Sequence, residues 1–194
     1  MALTLSKNQS ISLEKTAGGG LTSISLGLGW DPVKAGFLGK LMGNGGEIDL
    51  DASCILLDSD LKSIDLVWFR QLKSQDGSIQ HSGDNRTGDG SGDDETIHVD
   101  LQRLPASVKY LVFTVNSFTG QTFEKVENAY CRIVNAGNKS ELARFNLSER
   151  GGHTGIVMAS LARESGGWEF KAIGKVTNGR TADDLVSLAV QALR

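Results

Sequence analysis

Residues 83 to 95 read Gly83-Asp84-Asn85-Arg86-Thr87-Gly88-Asp89-Gly90-Ser91-Gly92-Asp93-Asp94-Glu95. Five carboxylates against one arginine give this stretch a net charge of −4, and four glycines are interleaved with the oxygen-bearing residues. Carboxylates crowded to ~4 Å repel by about 1 kcal/mol per pair even in water. A bound cation reverses that sign. Glycine lets the backbone turn tightly, and Asp, Asn, Ser and Thr supply the hard oxygens that Ca²⁺ gathers, about six to eight at a time. The loop has no thiol or imidazole, the ligands zinc and copper favour. Mg²⁺ favours few carboxylates with water or phosphate.

An EF-hand started at Asp89 would put Asp94 where the turn needs glycine and Asp100 where a glutamate closes the site. Ile97, Val99 and Leu101 then alternate as a strand where a helix should follow. The pattern points instead to a loop between strands, joined by carboxylates from elsewhere. Asp49 and Asp51 are spaced to share one strand face. With them the local charge reaches −6, so the rest of the chain carries +3 of the overall −3. The candidate carboxylates are Asp31, Asp49, Asp51, Asp84, Asp89, Asp93, Asp94 and Glu95, more than one ion needs, and two neighbouring ions fit better. The competing reading is a solvated acidic turn.

Strands must position these groups. Ile24, Leu26, Leu28 and Trp30 alternate with Ser25, Gly27 and Gly29 and end at Asp31-Pro32. From Glu47 to Leu57, Ile48, Leu50, Ala52, Cys54 and Leu56 oppose Asp49, Asp51 and Ser53. Further strands are predicted at 64–72, 96–101, 110–115, 129–134, 141–147, 155–163 and 168–176, with a hairpin turn at 164–167. Helical turns are predicted near Leu104-Pro105 and over 123–128. Short strands at this spacing predict an all-β fold, a two-sheet antiparallel sandwich formed by residues 1–194 as one domain. A C-terminal helix over 181–193 is predicted from Thr181 as its cap, Asp183 and Asp184 in the first turn, and Leu185, Leu188, Ala189 and Ala192 at helical spacing. It either packs on the sandwich or binds a partner.

Two cysteines, Cys54 and Cys131, both in apolar strand candidates, predict buried thiols in a reducing compartment. No apolar run is long enough to cross a bilayer. A glycine-rich insertion over 34–46 carries Phe37, Leu38, Leu41 and Met42, suited to a packed flap or to contact with a membrane or partner.

Several stretches together resemble the TerD family of tellurite-resistance and stress proteins. They are Gly27-Leu28-Gly29-Trp30-Asp31-Pro32, Ile48-Asp49-Leu50-Asp51-Ala52, Ser82-Gly83-Asp84-Asn85-Arg86-Thr87-Gly88 with Gly92-Asp93-Asp94-Glu95, Phe113-Thr114-Val115-Asn116-Ser117-Phe118, Val126-Glu127-Asn128-Ala129 and His153-Thr154-Gly155-Ile156-Val157. The resemblance implies a β-sandwich binding Ca²⁺, usually two ions, from bacterial operons for resistance to tellurite, phage and colicins. It carries no established enzymatic activity. Asp84, Asn85, Asp93, Asp94 and Glu95, with Asp49 and Asp51, fall on the family's calcium motif. Asp89 and Ser91 fall on variable positions. The insertion over 34–46 is longer than in typical members.

The function expected is a Ca²⁺-dependent binding or scaffold module, cytoplasmic with possible peripheral contact at the inner membrane. Expected partners are other Ter-family proteins or membrane-associated ones. The alternative is metal-assisted hydrolysis or phosphoryl transfer on the same acidic cluster. Against it, Gly27 and Gly29 lead into Trp30-Asp31-Pro32 and not a phosphate loop, and no nucleophile and base are evident beyond the adjacent residue types of His81-Ser82-Gly83-Asp84. No small-molecule substrate is identified. Lysines and arginines are dispersed, so no nucleic-acid partner is expected. Tellurium chemistry at the two thiols lacks a redox motif.

Overall fold

Alternation at positions 24–30 builds a strand with one apolar face. In the computed structural model, which describes residues 2–32, 50–83, 92–117, 119–148, 151–179 and 182–194, Ile24, Leu26, Leu28 and Trp30 are buried in the interior. The chain forms β1 (Leu3–Leu5), β2 (Ser10–Ser12), helix α1 (Leu13–Ala17), β3 (Ser23–Pro32), β4 (Leu50–Leu57), β5 (Ser63–Val67), β6 (Ile79–His81) and β7 (Glu95–Asp100). It continues with β8 (Tyr110–Ser117), a single 3-10 turn (Phe123–Lys125), β9 (Val126–Asn135), β10 (Glu141–Asn146), β11 (Gly155–Glu164), β12 (Gly167–Thr177) and helix α2 (Ala182–Leu193).

Among the described residues two six-stranded sheets form, ordered β1-β10-β9-β3-β7-β6 and β2-β12-β11-β8-β4-β5. Their facing sides close one core through Leu26, Leu28, Cys54, Leu56, Phe113, Ile133 and Phe170. The predicted sandwich is therefore observed, antiparallel except that β1 joins β10 in parallel. The hairpin forms as predicted, with Glu164 opposite Gly167.

The candidate strand over 64–72 ends early, at Val67. Trp68 and Gln71 exchange backbone hydrogen bonds of 3.1 and 3.0 Å across a tight turn, and the Arg70 guanidinium lies over both the Trp68 and Phe69 rings. Near Leu104-Pro105 there is a turn without a helix, closed by the Val108 N–H on Pro105 O. Three short strands, β1, β2 and β6, escape a period-two reading because three residues contain too little alternation. Helix α1 starts on a Ser12 cap, whose hydroxyl accepts from Lys15 N–H, and stops at Gly18 with φ 78°.

Helix α2 packs on the outer side of the second sheet. Val186, Leu188, Ala189 and Ala192 cover Ile55, Leu57, Val112, Val157 and Ile173 in a separate apolar cluster. Leu185 is fully buried. Its close docking depends on Gly155 and Gly179, where an added Cβ would lie 3.2 and 2.6 Å from Leu185 Cδ2.

Candidate functional site

β6 and β7 are the stems of the acidic loop. Gly83 and Gly92, beside its two ends, have φ of 113° and 124°, backbone values that glycine adopts without strain. The stems are joined by Ser82 N–H donating to Thr96 O at 2.8 Å and Thr96 N–H donating to Ser82 Oγ at 3.0 Å. His81 Nδ1 accepts from Gly83 N–H at 3.0 Å, which places the ring proton on Nε2. That Nε2–H faces Ala52 O at 3.2 Å and Glu95 Oε2 at 3.3 Å.

Glu95 Oε2 also accepts from Ala52 N–H at 2.7 Å. β5 pairs with β4 over Cys54–Leu57, so at Ala52 this edge of β4 has no neighbouring strand among the described residues. His81 and Glu95, both buried, take the peptide hydrogen bonds that a strand would have made. Both stems of the loop thereby grip the backbone of one residue of the opposite sheet.

Asp93 and Asp94 run alongside β3. Asp94 N–H donates to Leu28 O at 2.7 Å, and its Oδ2 accepts from Trp30 N–H at 2.8 Å. Asp93 faces Arg132, whose Nε donates to Oδ1 at 2.8 Å and Nη2 to Oδ2 at 3.0 Å. Tyr130 Oη donates to the same Oδ1 at 3.0 Å or to Gly92 O at 2.8 Å. Arg132 continues to Glu141 at 3.0 Å, and Glu141 holds Arg144 through Nε and Nη2 at 2.9 and 3.0 Å. These groups fit only because β3 has glycine beneath them. A Cβ at Gly27 would stand 2.0 Å from Asp93 Oδ2, and one at Gly29 2.5 Å from the Tyr130 ring.

Burial is the main influence raising the Asp94 carboxyl above the ordinary range. The bond from Trp30 N–H opposes it, while the charges of Asp31, Asp93 and Glu95 add to it. Asp94 and Asp31 line a cleft of ≈ 640 Å³ with Trp30, Tyr130, Arg144 and Asn146 among its walls. Asp31 accepts from Asn128 Nδ2 at 2.7 Å.

Four of the predicted positions, Asp49, Asp84, Asn85 and Asp89, lie outside the described residues, as does the insertion over 34–46 and the Thr181 cap. Of the other five, Asp31 and Asp94 share the cleft, Asp93 is clamped to Arg132, and Glu95 is tied to Ala52 and His81. Asp51 lies on the outer face of the second sheet, opposite Asn116. Among the described residues no three His, Cys, Asp or Glu side chains converge on a common point. Next to Asp51, Ser53 pairs in register with Thr114; both are buried, and neither hydroxyl has a hydrogen-bond partner. Arg132, Arg144 and Tyr130 gave no sequence signal beyond ordinary strand polarity. Ser53 and Thr114 are visible in the sequence only as polar residues inside predicted strands.

The two thiols are buried and unpaired as disulfides. Burial raises Cys131 to about 12 and pushes Cys54 upward as well.

The TerD domain model matches residues 1–189. The chain belongs to the TerD family. This TerD chain is 55% identical to tellurium resistance protein TerZ of Serratia marcescens over 192 residues, covering 98% of each chain. It is 41% identical to stress response protein SCP2 of Bacillus subtilis, covering 96% of this chain and 98% of that one. A solved TerD homologue from Streptomyces coelicolor superposes with a TM-score of 0.68 at 24% identity, covering 86% of this chain and 96% of that one. That likeness places the TerD chain in the same fold.

Proposed function

We propose that this protein is a calcium-responsive binding module of the tellurite-resistance and stress response. The observation that carries the reading is the placement of Asp94 and Asp31 on one cleft beside the stem of the acidic loop, where burial first, and the charges of Asp31, Asp93 and Glu95 after it, raise the Asp94 carboxyl. Crowding of that kind is relieved by a cation. Asp31 and Asp94 offer hard oxygens at the cleft, and Asp84, Asn85 and Asp89 are the loop residues that would join them. The donor chemistry fits Ca²⁺. A second ion would sit toward Asp49 and Asp51, where the unpartnered hydroxyls of Ser53 and Thr114 are further hard donors or hold a buried water. Asp93 and Glu95 act in this reading as positioning residues, through Arg132 and Ala52.

A bound Ca²⁺ supplies charge neutralisation and fixes the loop on its stems. Binding, not catalysis, is the role proposed. Ser82 Oγ is occupied as an acceptor for Thr96 N–H, and His81 faces a backbone peptide and Glu95, an arrangement without a nucleophile and its base. Partners in this reading are other Ter-family proteins or membrane-associated ones met in the cytoplasm or at the inner membrane. Among the described residues no helix is long and apolar enough to cross a membrane.

Calorimetric titration with CaCl₂, read alongside near-UV circular dichroism, tests the reading. Saturable heat and a change in the aromatic signal are expected, both weakened at least tenfold in Asp94→Asn. No saturable response at millimolar Ca²⁺ overturns the proposal.

A further inference from the structure

We propose that Asn178-Gly179 is a self-modifying joint: deamidation of Asn178 to isoaspartate lengthens the main chain between β12 and helix α2 and loosens the helix from the second sheet. Among the described asparagines only Asn178 precedes glycine. It is exposed, and neither its side chain nor the Gly179 N–H has a hydrogen bond among the described residues. Three of the other asparagines are held. Asn128 Nδ2 donates to Asp31 at 2.7 Å, Asn135 Oδ1 accepts from Gly137 N–H at 2.9 Å, and Asn138 Oδ1 accepts from Ser140 N–H at 3.0 Å. Each of these three is followed by a residue with a side chain, which crowds the backbone nitrogen that must attack. Glycine has none.

The reaction needs only water. The Gly179 nitrogen loses its proton to solvent base and attacks Asn178 Cγ; the bond from Cγ to the side-chain nitrogen breaks, and ammonia leaves. A five-membered succinimide results, and water opens it at one of two carbonyls. Opening at Cγ gives aspartate. Opening at the main-chain carbonyl gives isoaspartate, in which the chain runs on through Cβ and Cγ, one methylene longer, and the former main-chain carbonyl becomes the carboxylate. Either product adds a negative charge.

The added methylene has no room here. Thr154 brackets the joint, its N–H donating to Thr177 O at 3.1 Å and its hydroxyl to Gly179 O at 3.1 Å. Gly179 is buried, and a Cβ built on it would stand 2.6 Å from Leu185 Cδ2 and 3.0 Å from Asp184 Cβ. One built on Gly155 would stand 3.2 Å from Gly179 O. A longer chain therefore breaks a Thr154 bond or pushes against the first turn of α2. Close packing transmits that shift to the apolar cluster in which α2 covers Ile55, Val112 and Val157.

The test uses the full chain, aged in mildly alkaline buffer and then digested with trypsin. Cleavage after Lys175 and Arg180 isolates residues 176–180. Isoaspartate in that peptide, detected by labelling with an isoaspartyl methyltransferase, is expected from the aged parent and not from aged Asn178→Gln. Protein carrying isoaspartate, separated by anion exchange, should exchange the amide hydrogens of α2 roughly tenfold faster than fresh protein. Asn178→Asp, which has the charge but the normal main chain, should exchange them as fresh protein does. If residues 176–180 stay unmodified under ageing that converts the same sequence as a free peptide, the proposal is overturned. Isoaspartate with unchanged exchange in α2 also overturns it, as does Asn178→Asp exchanging as fast as the isoaspartate form.

Discussion

A methyl group at position 27 would be built 2.0 Å from Asp93 Oδ2, and the carboxylate cannot yield freely because Arg132 holds both its oxygens. Gly27→Ala therefore either breaks that fork or pushes β7 off β3. The expected cost is about 1–3 kcal/mol in urea unfolding, largely abolished when Asp93→Ala is added, a coupling read by a double-mutant cycle. Glu141 gives a prediction in pH. Its hydrogen bonds to Arg144, and secondarily Arg132, hold its carboxyl below the ordinary 4.5. A depressed carboxyl stabilises the fold above its unfolded value and loses that contribution as pH falls through the folded one. Glu141→Gln should cost about 1–2 kcal/mol at pH 7, and the gap to the parent should close as pH drops below about 4.5. The thiols, buried with raised pKa values, should be silent to a disulfide reagent until denaturant is added; rapid native labelling of either would contradict the burial and reopen thiol chemistry.

Among the elements, α2 is the one whose role the residue pattern left open between packing and partner binding. It packs on the second sheet. Leu185→Ala removes a fully buried side chain beside two glycines that cannot expand into the void, so a loss of about 2–4 kcal/mol is expected by chemical denaturation. If α2 were only loosely docked, the loss would fall below about 1 kcal/mol. The longer strands, β3, β4 and β7 to β12, were legible because each has enough apolar residues to state its inward face, and those inward residues are buried. Legibility failed where structure is decided across long separations. β1 and β2 are strands because sheet edges accept them, and β5 stops because Trp68 and Gln71 bond to each other. The site was legible in part for the same reason: Asp31 and Asp94 do share a cleft, but only the folded register shows that Asp93 meets Arg132, or that Glu95 turns inward to Ala52.

At the scale of the whole molecule, the two sheets are held by more than their common core. His81 and Glu95 carry the loop stems across to Ala52 in the opposite sheet, which makes the loop part of the closure of the sandwich. Glu95→Ala would leave the buried Ala52 N–H without its acceptor, at an expected cost of about 2–3 kcal/mol. Hydrogen exchange at the Ala52 amide should rise with it; an amide still protected in that variant would mean the clasp is incidental. A second link has a temporal meaning. β1 lies on β10 in one sheet, β2 lies on β12 in the other, and α1 directly follows them. Residues 3–12 are made well before their partners, Glu141–Asn146 and Gly167–Thr177. β1 and β2 must therefore wait unpaired until those partners emerge, exposing backbone when aggregation is easiest. Protein of this architecture would be lost most readily while it is being made, before its native stability has any bearing.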